Sequence, residues 1–127
     1  MANPEVENYV KQDLSFNELR KVNATRCARW HPPGSSPWTA ADWSNAMCGE
    51  AGETANKVKK YRRWETGTLN QGDPPPAELL EAIAEEIADT VIYGDLLANF
   101  LKLDLVAAIK RKFNAKSAEM GFPERLV

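Results

Sequence analysis

Apolar residues recur at helical spacing over four stretches of the chain, and nowhere do they alternate as in a strand. The pattern predicts an all-α protein. Ser15-Phe-Asn-Glu18 is a capping-box sequence, so a first helix is expected from Phe16 to about Trp30. His31-Pro-Pro-Gly-Ser-Ser-Pro37 must break it, because prolines and a glycine crowd the segment. Thr39-Ala-Ala-Asp42 repeats the cap pattern and opens a second helix that can run to about Trp64. Turn formers fill Glu65 to Pro76, a loop long enough to act as a flap over a site. A third helix is expected from Pro76 or Ala77 to about Leu101, since proline suits a first helical position. Asp104 caps a fourth reaching about Met120, Gly121 stops it, and Phe122-Pro123 begins a tail. Residues 1–14 read as an arm or a short helical turn.

Stepping 100° per residue assigns faces to these helices. On the second, Met47, Ala51, Ala55 and Val58 form an apolar strip, beside one that carries Trp43, Ala46, Glu50, Glu53, Lys57 and Tyr61. Gly49 and Gly52 each cost about 1 kcal/mol relative to alanine, so close approach of a partner helix is expected to offset them. On the third, Ile83, Ile87, Val91, Gly94, Leu97 and Leu101 define the expected buried strip, with Glu86, Asp89 and Tyr93 along its edge. Ile92 and Leu96 occupy its far side, so this helix should be covered from more than one direction, which predicts a subunit interface. On the fourth, Leu105, Ala108, Ile109, Phe113 and Met120 should point inward, while Lys110, Arg111, Lys112 and Lys116 make the helix basic. Trp30 should cover the core; Trp38 suits either packing or stacking on a planar ring such as a base. The expected architecture is a four-to-five-helix bundle, one domain over residues 1–127, completed by oligomerisation.

Composition narrows the partners. A chain of 127 residues that is 43% apolar can bury a core, and a net charge of −2 argues against binding bulk nucleic acid. No stretch is apolar for long enough to span a membrane, and Met-Ala-Asn-Pro-Glu does not begin a signal peptide, so a cytoplasmic protein is expected. Cys27 and Cys48 have no metal-like spacing and are expected as reduced thiols, with a disulfide between them as the minor reading. His31 is the only histidine, which leaves no histidine pair for a metal and argues against a Ser-His-Asp triad.

The chemistry is expected to lie in the acids. Gly-Glu50-Ala-Gly-Glu53 and Glu86-Ile-Ala-Asp89 each place two carboxylates three residues apart, on one face of a helix. If the two helices pack together, four acids converge, and their repulsion calls for a hard divalent cation, since an oxygen-only ligand set suits Mg2+, Ca2+ or Mn2+. Carboxylate-held magnesium usually acts on a phosphate, with most acids holding metal and one able to serve as general base. Glu-x-x-His motifs for a di-iron bundle are absent, and a chain of this size and type shows no sugar cleft. The basic run Lys57, Lys59, Lys60, Arg62 and Arg63 complements the helix dipole, and Lys57 and Lys60 have the phase to reach a phosphate tail.

These motifs occur in a suggestive order. Gly-Glu50-Ala-Gly-Glu53 with Lys59-Lys60, then Glu85-Glu86-Ile-Ala-Asp89-Thr-Val-Ile-Tyr93, then Lys112-Phe113 and Gly121-Phe-Pro123, resemble the MazG-like nucleotide pyrophosphohydrolases of the all-α nucleoside-triphosphate pyrophosphatase superfamily. The likeness covers about residues 38–126 and is nearest the single-domain dCTP pyrophosphatase and phage MazG-like type. It implies magnesium-dependent hydrolysis of a (deoxy)nucleoside triphosphate to monophosphate and pyrophosphate, in a house-cleaning or nucleotide-pool role. It further implies metal acids at Glu50, Glu53, Glu86 and Asp89, phosphate contacts at Tyr93 and Lys112, base contacts at Trp38 and Trp64, and a homodimer or homotetramer. A second-layer acid could come from Glu85. Lys116 and Glu119-Met120 stand where many relatives carry an asparagine and an Arg-Tyr pair. A helical nucleotide-binding or scaffold protein without catalysis is the alternative.

Overall fold

The computed structural model describes residues 10–127, and among these it contains four helices and no strand. They are α1 (Phe16–Trp30), α2 (Ala40–Glu65), α3 (Pro76–Phe100) and α4 (Leu105–Glu119). The cap chemistry accounts for the starts. Ser15 accepts from the Glu18 amide, Asp104 accepts from the Ala107 amide, and Thr39 with Asp42 forms a complete capping box. α2, α3 and α4 end in Schellman turns. Phe122 N–H donates to Ser117 C=O at 2.8 Å around Gly121, whose φ of +71° only glycine adopts freely. Of the expected arm or turn over residues 1–14, residues 1–9 lie outside the described residues, and 10–14 are not helical.

α3 is the central element, with α2 packed along it and α1 against its second half. α2 and α3 run antiparallel. Trp43 meets Tyr93, Met47 lies against the Gly94 backbone, and Glu50 meets Glu86 and Asp89. α1 is fixed by polar contacts. Asp95 is buried in α3, where Arg20 Nε donates to its Oδ1 at 2.7 Å and Asn23 Nδ2 to its Oδ2 at 3.1 Å. Asn23 Nδ2 also donates to Ile92 C=O, which sets the amide's orientation and leaves its Oδ1 buried without a partner. Cys27 and Cys48 are both free. No helix among the described residues is long and apolar enough to cross a membrane.

Of the two neighbouring strips expected on α2, the one with Trp43, Glu50, Lys57 and Tyr61 packs inward, joined by Thr54, and Ala51, Ala55 and Val58 face outward. Other expected faces are corrected. Ile87, Val91 and Leu101 of the expected buried strip on α3 are exposed; Leu79, Asp95, Leu96 and Ala98 are the buried positions. Ile109, Phe113 and Met120 of α4 are likewise exposed, because this helix stands off from the other three. A Cβ at Gly49 or Gly52 would meet nothing within 4 Å, so no neighbour in this chain accounts for either glycine. Trp30 lies exposed with the Arg26 guanidinium 4.8 Å over its ring, rather than covering the core. The loop expected as a flap is tied to the end of α2, where Arg63 makes a two-pronged contact with Asp73 at 3.0 and 3.1 Å.

Candidate metal centre

The carboxylates of Glu50, Glu86 and Asp89 converge, each offering an oxygen within 4.8 Å of the others. Glu50 comes from the middle of α2; Glu86 and Asp89 share a face of α3 because they are three residues apart. Threonine follows each glutamate by one turn and is bonded back to it. Thr54 Oγ1 donates to Glu50 C=O at 3.0 Å and Thr90 Oγ1 to Glu86 C=O at 2.8 Å. Both hydroxyl protons are therefore committed to the helix backbone and leave the carboxylates alone.

None of the ion pairs among the described residues includes these acids: Arg20–Asp95, Arg62–Glu65, Arg63–Asp73 and Lys116–Glu119 lie elsewhere. The cost appears on Glu50, whose pKa is raised above the ordinary carboxylate value. Burial is the largest cause, followed by a hydrogen bond with Glu86 and the charges of Asp89, Glu86 and Glu53. Glu53 is thus near enough to be felt but lies outside the trio, as an exposed residue one turn along α2. The donor set is oxygen only. Ligand oxygens on one Mg2+ stand about 3–4 Å apart, so the three side chains need only draw together within the cluster to close on Mg2+ or Mn2+.

Beside the acids stands an aromatic wall. Trp38 lies 4.5 Å from Trp43 between ring centroids, His31 packs edge-on at 5.2 Å from Trp38 and 5.4 Å from Trp43, and Tyr93 is 6.4 Å from Trp43. His31, Trp38 and Trp43 border a cavity of about 460 Å³ that Cys27, Asn99 and Phe100 help to close. Burial pushes the Cys27 thiol up, away from the reactive thiolate. Tyr93 follows Asp89 by one turn, and Trp43 precedes Glu50 by two. At 1.5 Å per residue the wall therefore begins about 6–10 Å from the acids along the helices.

The remaining expected residues are scattered. Trp64 packs on Tyr61 at 5.2 Å near the far end of α2, about 21 Å along the helix from Glu50, and is not brought to the wall. Lys57 is half-buried two turns past Glu50, on the inward strip. Lys60 lies close enough to Asp73 to help lower its pKa. Lys112 borders a groove on α4 with Leu105, Ile109 and Phe113 and is not part of the acidic cluster. Glu85 is exposed and stays outside the trio. Sequence reasoning placed Trp43 only as a member of a strip and read His31 only for what it excludes. The usable signal was the seven-residue step from Trp43 to Glu50, which puts ring and acid on one face.

No family model matches the chain, and neither does any curated protein or solved structure.

Proposed function

We propose that the chain is a Mg2+-dependent hydrolase that cleaves (deoxy)nucleoside triphosphates to monophosphate and pyrophosphate, acting as a homodimer or homotetramer of the MazG-like type. The observation that carries the reading is the unneutralised trio of Glu50, Glu86 and Asp89, with an aromatic wall that begins one to two helical turns away and a pocket beyond it. That separation suits a ligand with a planar ring at one end and a polyphosphate at the other. The sequence resemblance points the same way.

Glu50, Glu86 and Asp89 would hold the cation, with Glu53 at its outer edge. Bound there, it would neutralise phosphate charge and lower the pKa of a coordinated water. Trp38 offers a ring face for the base, and His31 and Trp43 hold that ring in place. Lys57 is the cation on the inward strip of α2 with the reach to meet a phosphate tail. A carboxylate of this cluster that accepts the proton of the attacking water would complete the set of roles.

The test is pyrophosphate release from a panel of ribo- and deoxyribonucleoside triphosphates, with and without Mg2+. Release should need Mg2+ and should fall at least about 100-fold in Glu50→Gln and in Asp89→Asn. Glu53→Gln, outside the trio, should cost only about 10-fold. Binding without cleavage of any triphosphate would favour the non-catalytic nucleotide-binding protein.

A further inference from the structure

The cavity beside the aromatic wall offers a polar group as well as ring faces. Asn99, in the last turn of α3, is half-buried and borders it together with Cys27, His31, Ser35 and Trp38. Stacking on an indole is indifferent to which base is stacked, because every base has a π-face. Selection among bases has to come from their edges, where hydrogen-bond donors and acceptors differ.

The Asn99 side chain is equipped for that. An asparagine amide carries two donor hydrogens and an acceptor oxygen, and among the described residues that of Asn99 has no hydrogen-bond partner. The other polar groups on the lining are engaged or weak. Ser35 Oγ donates to Pro32 C=O at 2.7 Å, Cys27 offers only a poor thiol donor, and His31 packs against both Trp38 and Trp43. Asp95 lies one turn earlier on the same side of α3 and is spent on Arg20 and Asn23; Asn99 has no such tie. Asparagine is also a poor helix former, so its place in the last turn gains nothing from helix propensity.

Its position suits a nucleotide. Asn99 follows Asp89 by ten residues, about 15 Å along α3, and the first rings of the wall stand between them at about 6–10 Å. Outward from the metal centre come carboxylates, then rings, then the amide. An extended nucleotide presents its parts in that order, as phosphates, then the sugar and the face of the base, then the edge of the base.

We propose that Asn99 reads the base, its amide pairing side by side with a donor and an acceptor on the edge of the ring that Trp38 stacks on. This role presupposes the nucleotide site of the proposed function and adds the feature selected there: a base with adjacent donor and acceptor, rather than any flat ring. A primary amide can turn over, so it fits a carbonyl beside a ring N–H or an amino group beside a ring nitrogen. A carboxylate only accepts, so in its place it favours the amino group and repels the carbonyl.

The test is calorimetric binding, with Mg2+, of the α,β-imido triphosphates of deoxyuridine and deoxycytidine, which match in size and differ at the 4-position and N3. Those of deoxyinosine and deoxyadenosine make the same comparison for purines. In the pair that binds tighter, Asn99→Leu should weaken both members about 10-fold. Asn99→Asp should shift the ratio of their dissociation constants at least about 10-fold toward the amino base. Trp38→Ala should weaken both members alike and leave that ratio in place. Helix content and Mn2+ affinity should not change in the Asn99 variants, since the side chain bonds to nothing in the fold. A ratio unmoved in Asn99→Asp would overturn the role of Asn99, whatever the loss in Asn99→Leu, and leave the nucleotide site standing. No binding of any of the four by the wild type would overturn both.

Discussion

Glu50 on α2 and Glu86 on α3 face each other across the helix pair, each offering a carboxylate oxygen within 4.8 Å of the other and of Asp89. That closeness, with burial, raises the pKa of Glu50, so a cation bound among these acids would compete with a proton.

This sets a pH dependence. The pKa of Glu50 is raised from its ordinary 4.5, by burial first and then by Glu86 and the neighbouring charges. The folded state then binds the proton more tightly than the unfolded one, so this contribution is full below the unfolded value and is lost as pH rises through the folded value. Asp42 and Asp73 act oppositely. Their pKa values are lowered, chiefly by the backbone amides of Thr39 and Asn70, so their contributions are lost as pH falls. Melting curves with and without Mg2+ should show stabilisation by the ion at pH 7–8 that fades toward pH 4. In Glu50→Gln, the metal-free protein should melt a few degrees higher at neutral pH and gain little from Mg2+.

The aromatic wall predicts a split in kinetics. Trp38 is 37% exposed and can lose its ring without opening the core. Trp38→Ala should raise KM about 10-fold, with a smaller change in kcat. Trp64→Ala should leave KM unchanged, since that ring packs on Tyr61 at the far end of α2. Equal effects from the two would remove the base-stacking role of Trp38.

The turn after α3 stores strain. Lys102 adopts φ +59° as the left-handed residue of the Schellman turn closed by Leu103 N–H on Ala98 C=O. Glycine stands at the matching position after α2 and α4. Lys102→Gly should stabilise the fold by about 0.5–1 kcal/mol in urea unfolding, despite glycine's greater freedom in the unfolded chain.

The anchor of α1 should be costly to break. Asp95 is 1% exposed, and Arg20 is its cationic partner. Arg20→Ala leaves a buried carboxylate with only Asn23 beside it and should destabilise by about 3 kcal/mol. Unfolding in urea measures the loss directly.

The helix limits were legible because caps are local chemistry. Ser15, Thr39, Asp104 and Gly121 each act within one turn, so sequence order alone exposes them. The pairing of Glu50 with Glu86 and Asp89 was also legible, since spacing put each acid on a face. Orientation was not. The two neighbouring strips on α2 were legible but not which of them packs; Trp43 against Tyr93 and Met47 against Gly94 set the phase, turn the acidic strip inward and leave Ala51, Ala55 and Val58 outside. Apolar periodicity reports a face that wants covering, not which neighbour covers it. Asp95 escaped notice because its partner Arg20 is 75 residues away in sequence.

The central claim is that Glu50, Glu86 and Asp89 close on one divalent cation. Titration of Mn2+, with free ion followed by electron paramagnetic resonance, tests it without reference to any substrate. Saturable binding should appear in the wild type, compete with Mg2+, and weaken at least about 10-fold in Glu86→Gln and in Asp89→Asn. Binding of equal strength in both variants, or none in the wild type, would contradict the account.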